Sequence, residues 1–176
     1  MVVLILVMLV GEKMIPYMKI MTMAVAALLM AIPVGAQEFG PATVDPAGVL
    51  ASRGKEFVAK ARTAETGVYS ETLKEYGNHK TMLAARAKTG APEYHEAWSD
   101  FFVVLDGEFT MLVGGKLIDQ HQIDGKLGEL TGSGIEGGTK VALKKGDVFH
   151  LQPKTPHQAL LTPGKTLLYY VIKVKE

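Results

Sequence analysis

The stretch EYHEAWSD at residues 93–100, together with KTPHQ at residues 154–158, decides how this chain folds and what it can bind. Each segment holds imidazole or carboxylate side chains beside an apolar run that is typical of a β-strand. A carboxylate buried beside such a strand is unfavourable unless it is paired, and a bound cation is one remedy. The sequence therefore predicts that both segments line one barrel and converge on a metal-sized point.

Side-chain alternation shows what this convergence requires. Glu93 and His95 are two residues apart, so they point to the same face of a strand. Asp100 has the opposite parity, and a turn or bulge near residues 96–99 is needed to bring its carboxylate to the same place. His157 comes from a distant strand. We expect these four side chains to meet only if the chain closes into a barrel.

Residues from Val68 onward alternate short apolar runs with glycine-containing turns, a pattern typical of β-structure. Many short strands without a second helical pattern predict an all-β fold, either a small barrel or a jelly roll. The glycine-rich residues 132–138 predict a flexible hairpin loop. The predicted strands cover residues 79–87, 100–105, 109–113, 116–121, 140–143, 147–151, 157–161 and 167–174.

One amphipathic helix is predicted before the barrel, over residues 46–63. Asp45 is the expected N-cap and Pro46 the first helical residue, positions that these residue types prefer. Gly54 weakens the helical pattern in its middle. The apolar side chains on one face predict that the helix packs on the outside of the barrel; they are Leu50, Phe57, Val58 and Ala61.

Residues 1–36 have the pattern of an export signal. Starting at Met18, a lysine is followed by an apolar run over residues 20–32 and by small residues before Gln37. We expect Met18 to be the true start, cleavage before Gln37, and a periplasmic or secreted protein. An uncleaved N-terminal anchor is the alternative, although the run is shorter than the ~20 apolar residues of a membrane-spanning helix. The leader and helix then occupy residues 37–66, and the barrel occupies residues 67–176.

Composition excludes several classes of function. Residues 37–176 carry 17 basic and 17 acidic side chains, and no basic stripe that would indicate a nucleic-acid partner. No charge run indicates an anionic membrane surface, and no stable membrane insertion is expected after cleavage. The absence of cysteine excludes thiolate nucleophiles, cysteine-ligated zinc and iron–sulfur clusters.

The first segment resembles a motif of the cupin superfamily. Metal-binding cupins carry His-x-His, three or four residues, Glu, six residues and then Gly. This chain has Glu93-x-His95, four residues, Asp100, six residues and then Gly107. Glu93 thus stands where the family has its first histidine, and Asp100 is one methylene shorter than the family's glutamate.

The second segment is similar to the other cupin motif, which has Gly, five residues, Pro-x-Gly, two residues and His. This chain has Gly146, five residues, QPK at residues 152–154, two residues and His157. The resemblance covers about residues 68–175. It implies a cupin-type double-stranded β-helix, which is a jelly-roll barrel, with the predicted N-terminal helix packed outside it.

Carried over residue by residue, the resemblance implies a divalent metal site in the barrel. Two imidazoles with carboxylates suit Mn, Fe, Zn, Ni or Cu, and the sequence does not distinguish these metals. The alternative is an empty pocket whose polar side chains hydrogen-bond to one another. The implied metal ligands are Glu93, His95, Asp100 and His157.

The resemblance leaves the reaction open, because cupins include several classes of enzyme as well as binding proteins. We expect an exported single-domain barrel that binds or acts on a small molecule at its metal, and we assign no catalytic residue. One alternative is a metal-free barrel that binds a sugar or another metabolite. Another is an envelope protein whose barrel mainly dimerises, and a homodimer is in any case common among cupins.

We expect smaller contributions to the site from the remaining histidines and from the paired tyrosines of the last strand. His150 is expected to be satisfied or to face outward, and His121 to be solvated, while His79 has no neighbouring residue at ligand spacing. Tyr169 and Tyr170 face opposite sides of the last strand, so at most one of them can point into the barrel.

Overall fold

The computed structural model describes residues 37–39 and 42–176. The chain divides into two units, Met1–Asp45 and Pro46–Glu176. The predicted signal segment, residues 1–36, lies outside the described residues, so the expectations of export and of the start at Met18 stay predictions.

Fifteen strands and one helix follow one another along the described residues. Strands β1 and β2 pair with each other in the first unit, whereas the helix and the later strands belong to the second. The elements are β1 (Gln37–Phe39), β2 (Ala42–Val44), α1 (Ala47–Thr63), β3 (Val68–Glu75), β4 (His79–Arg86), β5 (Glu93–His95), β6 (Trp98–Asp106), β7 (Glu108–Val113), β8 (Lys116–Ile118), β9 (His121–Gln122), β10 (Glu129–Thr131), β11 (Gly134–Glu136), β12 (Thr139–Lys144), β13 (Val148–Leu151), β14 (His157–Leu160) and β15 (Leu167–Lys175).

Two antiparallel sheets form the barrel, and successive strands alternate between them. One sheet has the order β13-β6-β15-β4-β3, and the other has the order β12-β7-β14-β5-β10-β9. The strands from β4 to β7 change sheet at every step, and those from β12 to β15 do so again. This double alternation is the topology of a jelly roll. The predicted fold class, an all-β double-stranded β-helix with one helix, is therefore confirmed.

The core fills the space between the two sheets. Alternate residues of each strand point inward, so that β6 contributes Phe102 and Val104 while β7 contributes Phe109 and Met111. These side chains are at most 7% exposed. Asp100 shares inward parity with Phe102 on β6, and His157 shares it with Ala159 on β14, so two residues of the predicted site lie on strands of this apolar core.

Helix α1 begins one residue later than predicted. Pro46 is the N-cap, with φ −62° and ψ 136°, and its carbonyl accepts hydrogen bonds from Val49 N and Leu50 N. The prediction that Asp45 caps the helix was therefore wrong, because a proline can supply the capping carbonyl without needing an N–H of its own. No helix among the described residues is long and apolar enough to cross a membrane.

The predicted apolar face of α1 packs on the outer face of the five-stranded sheet, as expected. Phe57 and Ala61 are buried there against Leu83, Ala85 and Leu168. The close packing at this interface explains why residue 54 is a glycine, because a Cβ at that position would lie 2.3 Å from Leu168 Cδ2. The glycine that weakened the sequence pattern thus lets the helix approach the sheet closely.

Two predictions of local structure were wrong in the segment between β7 and β12. The predicted strand over residues 116–121 is split, because Asp119 has a φ of 51° that ends β8. The predicted loop over residues 132–138 contains strand β11, which pairs with β8. Short strands of this kind are held by pairing with a partner, which local side-chain patterns do not report.

The approach of α1 to β15 generates a prediction. We expect Gly54→Ala to lower the free energy of unfolding by about 1–2 kcal/mol, because overpacking against buried Leu168 outweighs alanine's helix propensity. Gly48→Ala is the matched control in the same helix, where a Cβ would meet nothing within 4 Å. It should raise the free energy of unfolding by up to about 1 kcal/mol. Urea unfolding measures both, and equal gains would contradict this account of Gly54.

Candidate functional site

Three cross-strand pairs bring the polar side chains of the barrel together. Glu93 on β5 lies opposite His157 on β14, and His95 lies opposite Glu129 on β10. In the facing sheet, Asp100 on β6 lies opposite Lys173 on β15. Directly opposed residues in a sheet have neighbouring side chains. Pairing register therefore assembles this site from residues that are far apart in the sequence.

The turn that the parity argument required is present. Strand β5 ends at His95, strand β6 begins at Trp98, and the two strands belong to different sheets. Asp100 consequently faces His95 across the barrel, with 3.2 Å between Asp100 Oδ2 and His95 Nε2. Both residues are buried, with exposures of 2% and 6%.

Three of the four predicted ligand residues form a group that could hold a metal ion. One potential ligand atom from each of Glu93, His95 and His157 lies within 4.8 Å of those of the other two. Asp100 is outside that group, but its Oδ2 lies 4.0 Å from His157 Nε2 as well as near His95. The four residues therefore do share one region of the barrel.

Both imidazoles are oriented by a hydrogen bond at Nδ1. His95 Nδ1 lies 2.6 Å from Glu129 Oε2, and His157 Nδ1 lies 3.0 Å from the carbonyl oxygen of Thr155. Each Nδ1 therefore donates, which leaves each Nε2 directed at the shared region. A carboxylate or carbonyl behind a histidine is the usual support for a metal-binding imidazole.

A lysine that the sequence analysis did not consider lies inside the same group. Lys173 Nζ is 3.0 Å from His95 Nε2, 3.0 Å from Asp100 Oδ1 and 3.1 Å from Asp100 Oδ2. The lysine side chain is only 12% exposed. The site thus contains a cation that belongs to the chain itself.

A buried arginine neutralises Glu93, the other carboxylate among the predicted ligands. Arg86 Nη2 donates to Glu93 Oε1 at 2.5 Å, and Arg86 Nε donates to the Tyr169 hydroxyl at 2.9 Å. Gly90 makes room for this guanidinium, because a Cβ there would lie 1.8 Å from Arg86 Nη1. Glu93 is therefore held by an ion pair on one side while it faces the two histidines on the other.

These contacts keep the carboxylates ionised. Burial raises the pKa of Glu93, but the Arg86 guanidinium outweighs it and, with the histidines, brings that pKa down to about 2. Burial likewise opposes ionisation of Asp100, and the hydrogen bond with His95 and the charge of Lys173 lower its pKa below the ordinary value. The cost of burying the carboxylates is offset by basic groups of the chain.

The two histidines differ in their protonation. Burial lowers the pKa of His95, but its hydrogen bonds with Asp100 and Glu129 outweigh burial and raise the pKa to about 9. Burial lowers the pKa of His157, so its Nε2 keeps a lone pair at neutral pH. His95 Nε2 donates to Asp100 when protonated and accepts from Lys173 when neutral, so Asp100 and Lys173 are alternative partners for it.

The polar group opens into a cavity of about 630 Å³ inside the barrel. Pockets of this size accommodate metabolite-sized ligands. Apolar and aromatic side chains line much of it, so an apolar part of a ligand could be buried beside the polar group. These apolar lining residues include Met82, Phe102, Phe109, Met111, Leu167 and Val171.

The donor set fits a divalent metal ion by its chemistry. It combines two imidazoles with oriented Nε2 atoms and carboxylates from both sheets, which are suitable ligands for several transition metals. Among the described residues, Glu129 Oε1 is a buried acceptor without a hydrogen bond, whereas Asp100 Oδ1 has the Lys173 ammonium at 3.0 Å. An unsatisfied buried oxygen next to an imidazole indicates an environment that favours an additional cation.

Sequence reasoning missed Lys173, Arg86 and Glu129. Parity offered a signal for Lys173, because this residue shares inward parity with Tyr169, which lines the cavity. Glu129 carried no such signal, because only the pairing of β10 with β5 brings it to His95. As expected, the remaining histidines lie outside the site: His79 stacks on Tyr76, and His121 and His150 are exposed.

The Arg86–Glu93 pair generates a prediction for stability. We expect Arg86→Met to lower the free energy of unfolding by about 2–3 kcal/mol, because it leaves Glu93 and Tyr169 without their partner. The loss stays below that of a fully buried pair, because Glu93 is 36% exposed. Arg53→Met breaks an ion pair whose partners are each 39% exposed and should cost less than about 1 kcal/mol. Equal losses in urea unfolding would refute a special role for Arg86.

Comparisons with known proteins show only distant likenesses. No family model matches the sequence, and no curated protein matches it. The solved structures with a similar fold include the polyketide cyclase RemF from Streptomyces resistomycificus, at 14% identity over 62% of this chain and 66% of that one, with a TM-score of 0.44. The chain thus spans just under two thirds of the cyclase.

Two further structures have similar values. A Cupin 2 conserved barrel domain protein from Salinispora arenicola is 12% identical over 63% of this chain and 78% of its own, with a TM-score of 0.43. A double-stranded β-helix domain protein from Klebsiella pneumoniae is 16% identical over 69% and 85%, with a TM-score of 0.46. The order of the strands identifies the fold of this chain as a double-stranded β-helix.

Proposed function

We propose that this barrel binds a small molecule beside a divalent metal ion held by Glu93, His95 and His157, with Asp100 as an additional ligand. The observation that carries the proposal is the orientation of the imidazoles. Each Nδ1 is tied to an acceptor, and each Nε2 is directed at a region shared with Glu93. Manganese, iron, zinc, nickel and copper all accept such a donor set.

Residues behind the ligands would hold them in position at such a site. Glu129 would hold the ring of His95 in position and increase its basicity, while Arg86 would fix Glu93. Such an ion, when bound, would supply Lewis-acid polarisation and orientation of a ligand oxygen. The apolar residues of the cavity would bury the rest of the ligand and exclude water.

A metal-free barrel that binds a sugar or another metabolite is the second candidate function. It is favoured by one observation, namely that Lys173 and Arg86 already neutralise Asp100 and Glu93. In that case the same polar group would hydrogen-bond to the ligand directly. The two candidates differ in whether purified protein contains stoichiometric metal.

We further propose, from residues 1–36 alone, that the protein is exported to the periplasm or secreted. A homodimer is the proposed assembly, because cupin barrels commonly pair. Neither proposal depends on the metal site, and the proposed metal site would stand if either were wrong.

The proposed metal site predicts which histidines are needed for metal binding. Purified protein should take up about one equivalent of Mn²⁺ or Zn²⁺, and His95→Ala and His157→Ala should each lose it, because each removes one of two imidazole ligands. His150→Ala is the control, since that exposed ring stacks on Phe101 outside the site. Elemental analysis after dialysis measures the content. Metal retained in both site variants, or absent from all proteins, would refute the proposal.

Because Glu129 supports His95, we expect that substituting Glu129 weakens metal binding less than removing a histidine ligand does. We expect Glu129→Gln to reduce metal affinity by about 10- to 100-fold, because it removes the charged acceptor behind the imidazole. Glu136→Gln, at an exposed position of strand β11, should leave the affinity unchanged. Isothermal titration with Zn²⁺ distinguishes them, and an equal affinity in both variants would show that Glu129 does not support the ligand.

A further inference from the structure

We infer that Lys173 is a built-in competitor for the metal site: its ammonium group occupies the position between His95 and Asp100, and a divalent ion binds there only by displacing it. This inference rests on the proposed function. It concerns how tightly the site holds its metal, and it assigns that property to a residue outside the ligand set.

The distances show why the two cations exclude each other. Lys173 Nζ lies 3.0 Å from His95 Nε2 and 3.0 Å from the nearer Asp100 oxygen. A metal bound to an imidazole lies about 2 Å from the nitrogen, so it would share the space that the ammonium now fills. Repulsion between a divalent ion and an ammonium group a few ångströms away is strong inside a protein.

The pairing register of β15 with β6 places Lys173 at this position. Lys173 is the cross-strand partner of Asp100 in the central pair β6–β15, so the backbone holds it directly opposite the carboxylate. Its other cross-strand neighbour is Lys80 on β4, whose ammonium instead lies 5.2 Å from the ring centroid of Trp98. Two neighbouring lysines that both line the cavity thus have different partners, and only one of them is set among the ligands.

The displaced ammonium also has an acceptor within the site. Glu129 Oε1 is buried and accepts no hydrogen bond from the described residues. Glu129 and Lys173 line the same cavity. Metal binding would therefore move Lys173 away from Asp100 and toward the open part of the cavity, where it can also meet an anionic ligand.

Removal of the ammonium tests the inference directly. We expect Lys173→Met to bind Zn²⁺ at least about tenfold more tightly than the wild-type protein in isothermal titration, because the competing charge is gone. Lys80→Met is the matched control, since it removes a lysine that lines the same cavity but contacts Trp98. Its affinity should stay within about twofold of the wild-type value, because its charge does not lie among the ligands.

The outcomes separate this inference from the proposed function. Tight binding by the wild-type protein with equal or weaker binding by Lys173→Met would overturn the inference and leave the metal site intact. Absence of binding in both proteins would overturn the proposed function, and the inference with it. A comparable gain in Lys80→Met would show that cavity charge in general, rather than the position of Lys173, sets the affinity, and would also overturn the inference.

A second measurement uses the wild-type chain, in case Lys173→Met does not fold. Saturating Zn²⁺ should increase the reaction of Lys173 with an amine-acetylating reagent, measured by peptide mass spectrometry, because the ammonium leaves its enclosed position. Labelling of Lys80 serves as the internal control and should not change. Labelling of Lys173 that is unchanged or reduced when Zn²⁺ binds would contradict displacement.

Discussion

An ion pair between Asp100 and Lys173 lies at the centre of this barrel, and the rest of the site depends on it. Asp100 is 2% exposed on an inward-facing position of β6, where an ionised carboxylate is tolerated only with cationic or hydrogen-bonding neighbours. Lys173 on the adjacent strand supplies the charge, and His95 approaches the same carboxylate from the facing sheet. The two sheets are thus joined by polar contacts as well as by their apolar core.

The distribution of charge is compatible with both candidate functions. Arg86 and Lys173 offset Glu93 and Asp100, so the group is stable with the basic residues of the chain alone. The oriented imidazoles nevertheless retain the arrangement of metal ligands. In the proposed metal-bound state, a metal ion would replace the chain's own cation, and the balance between the two states would depend on relative affinity rather than on a change of fold.

Much of the fold was predictable from local pattern. The alternation of apolar residues marked most of the barrel strands, and the apolar face of α1 marked the side that packs on the sheet. The errors fall where long-range contact outweighs local preference. The pattern of residues 132–138 predicts a loop, whereas pairing with β8 makes residues 134–136 a strand, and the predicted strand over residues 116–121 is split at Asp119.

The sequence by itself determined that Glu93, His95, Asp100 and His157 are of metal-binding types at cupin-like spacing, and that a turn must separate His95 from Asp100. Tertiary structure alone decided that Lys173 and Arg86 oppose these carboxylates and that Glu129 supports His95. The physical reason is register. Spacing along one strand fixes which residues share a face, whereas the pairing of β15 with β6 and of β10 with β5 fixes which distant residues meet.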